Sequence, residues 1–157
     1  MTIKLIVVGK TNKSFLIEGE EVYQKRLKHY IKFEEDVIPE LKKVSALSES
    51  QIKQKEGEEI LKRLDNTDHL VLLDDKGKEY SSEQLSYKIE KWMIGSVKRV
   101  VFVVGGAYGF SEEVYTRSNE KLSLSKLTFS HQMVRLFFKE QLYRAFTIMK
   151  GEPYHHK

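Results

Sequence analysis

Arg99-Val100-Val101-Phe102-Val103-Val104 runs without a break into Gly105-Gly106-Ala107-Tyr108-Gly109. Its β-branched and aromatic side chains make it the strongest strand signal in the chain. The glycines that follow mark a strand end, and in open α/β sheets that is where ligands bind and where a bare backbone can approach them closely. The spacing Gly-Gly-x-x-Gly is neither the dinucleotide fingerprint nor a P-loop, because no Gly-Lys-Ser/Thr follows. On these residues alone a structural turn and a cofactor loop are both open.

Toward the N-terminus, Ile3-Lys4-Leu5-Ile6-Val7-Val8 ends at Gly9 and reads as a buried strand. A helix follows over about residues 14–30, with Phe15, Ile17, Val22, Tyr23 and Leu27 as its apolar positions. A second strand covers 33–38 and stops at Pro39. Residues 41–50 are polar and read as a mobile loop, with Ser48 placed to cap a charged helix reaching about Leu64. A third strand, 69–74, gives way to the turn Asp75-Lys76-Gly77-Lys78, and a helix runs from Ser81-Ser82 to Ile94-Gly95. Toward the C-terminus come a short helix near 111–117, a strand-like stretch over 122–128 and a long helix over about 130–150 closed by Gly151.

Strands alternating with helices at this spacing predict an α/β fold: one domain over 1–157, with a mainly parallel sheet and helices on both faces. The last helix carries Met133, Val134, Leu136, Phe137, Phe138, Leu142, Tyr143, Ala145, Phe146, Ile148 and Met149, more than a single apolar stripe. One face packs on the sheet and the remainder calls for a second partner. Another copy of the chain is the most economical one, so a homodimer is expected.

With 157 residues, 40% of them hydrophobic, the chain is long enough for one α/β core and too short for two ordinary domains. No apolar run approaches the roughly 20 residues of a membrane span. The opening apolar stretch lacks the basic region, length and cleavage site of a secretory signal, so a cytoplasmic protein whose mature N-terminus lies near Met1 is expected. Zero cysteines exclude disulfides, thiolate nucleophiles and Cys-based zinc sites. His155-His156 has no nearby carboxylate pair and Asp74-Asp75 no adjacent histidine, so no catalytic metal is expected.

The net charge of +4 is unevenly spread: residues 117–157 hold eight Lys/Arg against three acidic residues, whereas 1–116 hold 19 against 20. A basic C-terminal end fits contact with a polyanion, and it fits a solvated helix face equally well. Leu124-Ser125-Lys126-Leu127-Thr128-Phe129 offers hydroxyls for an adenine edge and apolar walls for its slot; as an alternative it is an ordinary strand leading to Ser130 as helix cap. His131 sits in the first turn of the last helix, where the dipole disfavours an imidazolium, and is open to a cofactor contact or a structural role. Arg135, Lys139, Gln141 and Arg144 fall at helical spacings; a solvated face accounts for most of them, and Arg144, beside Tyr143 and near the tail, is singled out. Asp74 and Asp75 stand at a strand end, where capping a turn is favoured over holding a ribose.

Taken in order, Leu73-Asp74 with Gly77-Lys78, the stretch from Phe102 to Gly109, the stretch from Leu122 to Thr128, His131-Gln132, Tyr143-Arg144-Ala145 and Pro153-Tyr154-His155 resemble the RlmH family. These are small SPOUT-class methyltransferases of large-subunit ribosomal RNA. Val7-Val8-Gly9-Lys10 and Lys55-Glu56-Gly57 extend the resemblance to nearly the full length. It implies a SPOUT fold with a C-terminal trefoil knot, a homodimer, S-adenosyl-L-methionine as methyl donor, and methylation at N3 of a pseudouridine in 23S rRNA of the large subunit or assembled ribosome. Carried over residue by residue, the cofactor contacts fall at Leu73, Gly105, Leu124, Ser125, Lys126, Leu127, Thr128 and Phe129. An imide nitrogen is a weak nucleophile until deprotonated, so a base or a stabilising cation is needed; Arg144, Tyr154 and His155 are the candidates. Ser130 stands where the family has proline, and His156 is an additional histidine beside His155. The alternative reading is a non-catalytic RNA-binding or ribosome-assembly factor of the same fold, which S-adenosyl-L-methionine binding would separate. A nucleotide-binding oxidoreductase is disfavoured by the missing fingerprint.

Overall fold

Five strands, β1 (Thr2–Val8), β2 (Lys32–Ile38), β3 (His69–Glu79), β4 (Arg99–Val104) and β5 (Glu120–Ser123), form one sheet in the computed structural model, which describes residues 1–156. Their order is β2-β1-β4-β3-β5, and every neighbouring pair is parallel. The helices are α1 (Ser14–Leu27), α2 (Glu49–Lys62), α3 (Ser82–Ile94), α4 (Glu112–Arg117) and α5 (Met133–Met149). On one face Leu27, Leu85, Ile89, Phe138, Leu142 and Phe146 pack over Ile3, Leu5, Val7, Val71 and Phe102. On the other, Ile60, Phe110 and Val114 cover Ile6, Leu70, Leu72, Val101 and Val103. Alternate residues of each central strand thus serve opposite layers, which is why β4 is apolar throughout after Arg99. Among the described residues no helix is long and apolar enough to cross a membrane.

Two local expectations are corrected. β3 does not stop at Asp74 but continues to Glu79, with a register shift that pairs both Leu73 and Lys78 with Leu122. The turn chemistry is present, since Asp74 Oδ1 accepts from the Lys76 amide at 2.9 Å, yet strand pairing resumes beyond it. Gly77 makes this possible: a Cβ there would lie 2.6 Å from the Leu122 backbone. Conversely, β5 ends at Ser123, and residues 124–128 are irregular. Ser123 Oγ donates to the Ser125 carbonyl (3.0 Å) and Ser125 Oγ accepts from the Leu127 amide (2.9 Å), so side chains take backbone groups that a ladder would use. The polar stretch 41–50 contains a 3₁₀ turn, Val44–Ala46, and Ser48 caps α2 in a capping box with Gln51.

The largest correction concerns α5. Arg135 and Lys139 are not on a solvated face; each is 1% exposed. Because α5 packs against both α1 and α3, polar positions on it are enclosed too and require partners. Arg135 donates to the carbonyls of Val8 (2.7 Å), Gly9 (2.8 Å) and His131 (3.2 Å) and to Thr11 Oγ1 (3.2 Å). Lys139 Nζ meets Glu20 at 2.9 Å, Gln24 at 3.4 Å and also Glu35. The chain therefore leaves the edge strand β5, passes over the carboxyl ends of β3 and β4, and is clasped at the exit of β1 as α5 begins.

Candidate active site

That crossing encloses a cavity of about 450 Å³ at the strand ends. Leu73, Val104, Gly105 and Gly106 form its floor, Tyr108, Gly109 and Phe110 one wall, and Leu122, Leu124, Ser125, Leu127, Thr128 and Phe129 the other. His131 and Val134 close it from the start of α5; Asp74, Asp75 and Tyr115 stand at the rim. Seven of the eight residues that the resemblance assigns to the cofactor line this one space. Lys126 does not: its side chain is 86% exposed and its ammonium lies 3.8 Å from Glu79.

The glycines act from behind the cavity. A Cβ on Gly105 would come within 3.0 Å of the Phe110 ring, and one on Gly106 within 2.5 Å of Glu56 Oε1. Each lets a side chain press against the loop and hold its shape. Burial pushes the Glu56 carboxyl above the usual carboxylate range. At the rim, Tyr115 donates to Asp74 Oδ2 at 2.5 Å. Burial opposes ionisation of Asp74, but the hydrogen bonds from Tyr115 and the Lys76 amide outweigh it and hold the carboxyl below its ordinary range. Burial, and then Asp74, push the Tyr115 phenol up to about 12. Asp74 is thus a turn cap and a phenol acceptor. Ser130 Oγ accepts from the Met133 amide at 3.2 Å, so serine starts the helix in place of proline.

Arg144, Tyr154 and His155 are brought together elsewhere. Arg144 Nη1 donates to His155 Nδ1 at 3.1 Å, and its Cζ lies 4.8 Å from the Tyr154 ring centre. Glu140 Oε1 accepts from both Arg144 Nη2 (2.6 Å) and Tyr154 (2.9 Å). An arginine has only donors, so Nδ1 of His155 accepts and Nε2–H donates to Glu83 Oε1 at 3.0 Å. The hydrogen bond to Glu140 raises the Arg144 pKa further; burial, with Tyr23 and Glu140, lifts the Tyr154 phenol far above its ordinary value, leaving it a donor. His156 is exposed, and Lys157 lies outside the described residues. None of the three lines the cavity of its own chain. Along α5, Val134 at the cavity and Arg144 are separated by about 15 Å at the usual rise of an α-helix. Sequence reasoning passed over Glu140 and Glu83. Glu140 has a local signal, its i,i+4 spacing to Arg144; Glu83, on α3, has none.

A parallel α/β sheet with a cavity between its strand ends and a returning C-terminal segment defines a class, and comparison identifies it. Residues 1–155 match the family model described as "Predicted SPOUT methyltransferase". The chain belongs to the SPOUT methyltransferase family. It is similar to proteins named Ribosomal RNA large subunit methyltransferase H from Christiangramia forsetii (60% identical), Parabacteroides distasonis (59%) and Flavobacterium johnsoniae (56%), in each case over all of both chains.

Proposed function

We propose that this chain, acting as one domain, uses S-adenosyl-L-methionine to methylate N3 of a pseudouridine in 23S rRNA, and that it works in the cytoplasm as a homodimer on the large subunit or assembled ribosome. The observation that carries the reading is the strand-end cavity. Its volume lies in the range of small-molecule pockets, and Leu122, Leu124, Leu127 and Phe129 offer apolar walls for a purine. Leu73, Gly105 and the irregular segment 124–129 would hold the cofactor, which when bound supplies a methyl group on a sulfonium.

Transfer forms an N–C bond and breaks a C–S bond, so the imide proton has to leave. Arg144 stabilises the anion left on the base, the protonated Tyr154 donates a hydrogen bond to it, and His155 takes the proton once Nδ1 is released from Arg144. Since these groups stand far along α5 from their own cavity, a second copy supplies them. Exposed apolar side chains support that pairing: Leu127 at the cavity is 74% exposed and Phe15 of α1 62%. Family membership also supports a trefoil-knotted path for the segment entering α5.

Mass spectrometry of rRNA tests the proposal. A strain lacking the protein should lose one methyl group from a 23S pseudouridine, and purified protein with S-adenosyl-L-methionine should restore it. Unchanged methylation in that strain would overturn the reading, and rRNA binding without transfer would favour the assembly-factor alternative.

A further inference from the structure

A second concavity, of about 590 Å³, lies on the other flank of the extended end of β3. It is lined by Lys78, Tyr80, Tyr87, Lys88, Lys91 and Trp92, with Glu79, Glu83 and Gln84 at its edges. Three ammonium groups face three aromatic rings: Lys78 and Lys88 lie 5.1 and 5.4 Å from the Tyr80 ring centre, Lys88 5.2 Å from Trp92, and Lys91 5.0 Å from Tyr87. Residues 84, 87, 88 and 91 recur at helical spacing, so α3 presents them as one face, and Tyr80 stands just ahead of that helix. The C-terminal charge surplus gives no hint of this groove.

The charge inventory indicates what it takes up. Lys88 is paired with Glu120 at 2.7 Å, whereas the described ion pairs give Lys78 and Lys91 no carboxylate. The two acidic residues at the edges are engaged, Glu83 by His155 at 3.0 Å and Glu79 by Lys126 at 3.8 Å. Tyr87 is 59% exposed, with the Lys91 ammonium near its ring and most of the ring open to solvent. Flat rings interleaved with uncommitted ammonium groups match a nucleobase joined to phosphate, because any base can stack and any phosphate attracts a lysine. Glu83 also holds the tail residue His155, so the groove begins where the proposed catalytic cluster ends.

We propose that this groove binds an unpaired nucleotide of the RNA substrate, flanking the base that is modified. The inference rests on the RNA methyltransferase reading for its place in the reaction, though not for its chemistry. RNA leaving the active site would stack a base on Tyr87 or Tyr80 and set its phosphates on Lys78 and Lys91. Specificity is thereby divided between the base at the cofactor and a neighbour held on α3.

The test uses the full chain and fluorescein-labelled oligouridylate, read by anisotropy, with the double variant Tyr87→Ala/Lys91→Ala; both residues are exposed, so the far-UV spectrum should not change. Affinity should fall about tenfold, as expected for loss of one stacked base and one phosphate contact, while Tyr87→Phe/Lys91→Arg should retain it. In methylation assays the double variant should raise KM for the ribosomal substrate by a similar factor and leave kcat and S-adenosyl-L-methionine affinity unchanged. Unaltered oligouridylate affinity would overturn the proposal, as would equal dependence of polyglutamate binding on the same residues, which would mark a site for acidic protein. If the wild-type chain fails to methylate rRNA but the variant still loses oligouridylate, the methyltransfer reading falls and the groove stands.

Discussion

Arg144 and His155 are joined with a fixed polarity: the guanidinium donates to Nδ1 at 3.1 Å, which leaves the imidazole proton on Nε2, facing Glu83. Both ring nitrogens are therefore occupied, and the tail is folded back on its own chain through Arg144, Glu140, Tyr154 and Glu83. In the proposed mechanism, release of the Arg144 contact frees the Nδ1 lone pair of His155 to take a proton.

The tail should accordingly matter to turnover and not to cofactor affinity. Deleting residues 154–157, of which Lys157 lies outside the described residues, should leave the dimeric mass in light scattering and the S-adenosyl-L-methionine affinity in calorimetry unchanged. Methylation of ribosomes should drop by about two to four orders of magnitude. Normal methylation by the shortened chain would show the tail to be dispensable, and a monomeric mass for the intact protein would sink the shared-site reading.

Gly105→Val should abolish S-adenosyl-L-methionine binding. Its Cβ meets the Phe110 ring, so the variant displaces a cavity wall from behind while the far-UV spectrum stays near native. Unchanged calorimetric affinity would place the cofactor elsewhere.

Lys139→Met should destabilise the chain by about 3 to 5 kcal/mol, because it strands the buried carboxylate of Glu20 and the partly buried one of Glu35. Urea unfolding measures this. Adding Glu20→Gln and Glu35→Gln should recover a large part of the loss, and the absence of any recovery would mean that lost packing, not stranded charge, sets the cost.

Tyr115→Phe should cost about 2 kcal/mol near neutral pH, the worth of a hydrogen bond to a charged acceptor. Asp74 titrates below its ordinary range in the folded chain, so its contribution is present above that range and is lost as pH falls through the depressed value. Tyr115, raised to about 12, contributes fully below the ordinary phenol value and loses this as pH rises through 12. The stability gap between wild type and variant should therefore be widest between about pH 5 and 9. A gap independent of pH would refute the Asp74–Tyr115 assignment.

What sequence reveals here follows from the range of each interaction. Strands β1 and β4 and the cap at Ser48 are set by neighbouring residues and were legible. The continuation of β3 depends on Gly77 meeting the backbone of Leu122, far along the chain, so the local turn signal prevailed in the reading. Arg135 and Lys139 have the spacing of a solvated face; only the packing of α1 and α3 on both sides of α5 buries them. At the site, the stretch from Leu124 to Phe129 was legible as one lining segment, yet the outward turn of Lys126 depends on an irregular backbone that a strand reading did not foresee. The remoteness of Arg144 from the cavity is set by its place along α5, which no local pattern relates to the strand ends.

The Arg135 clasp has a bearing on how the protein comes into being. It joins positions 126 and 127 residues apart, the greatest spans among its contacts. Closing so long a loop costs entropy before any of its contacts form, which makes the seating of α5 a late step in folding. During synthesis the first strand waits, its exit carbonyls open to water, until α5 has emerged. A nascent chain thus lacks the cavity walls that the segment entering α5 supplies, and competence for methyl transfer arrives only once α5 is seated.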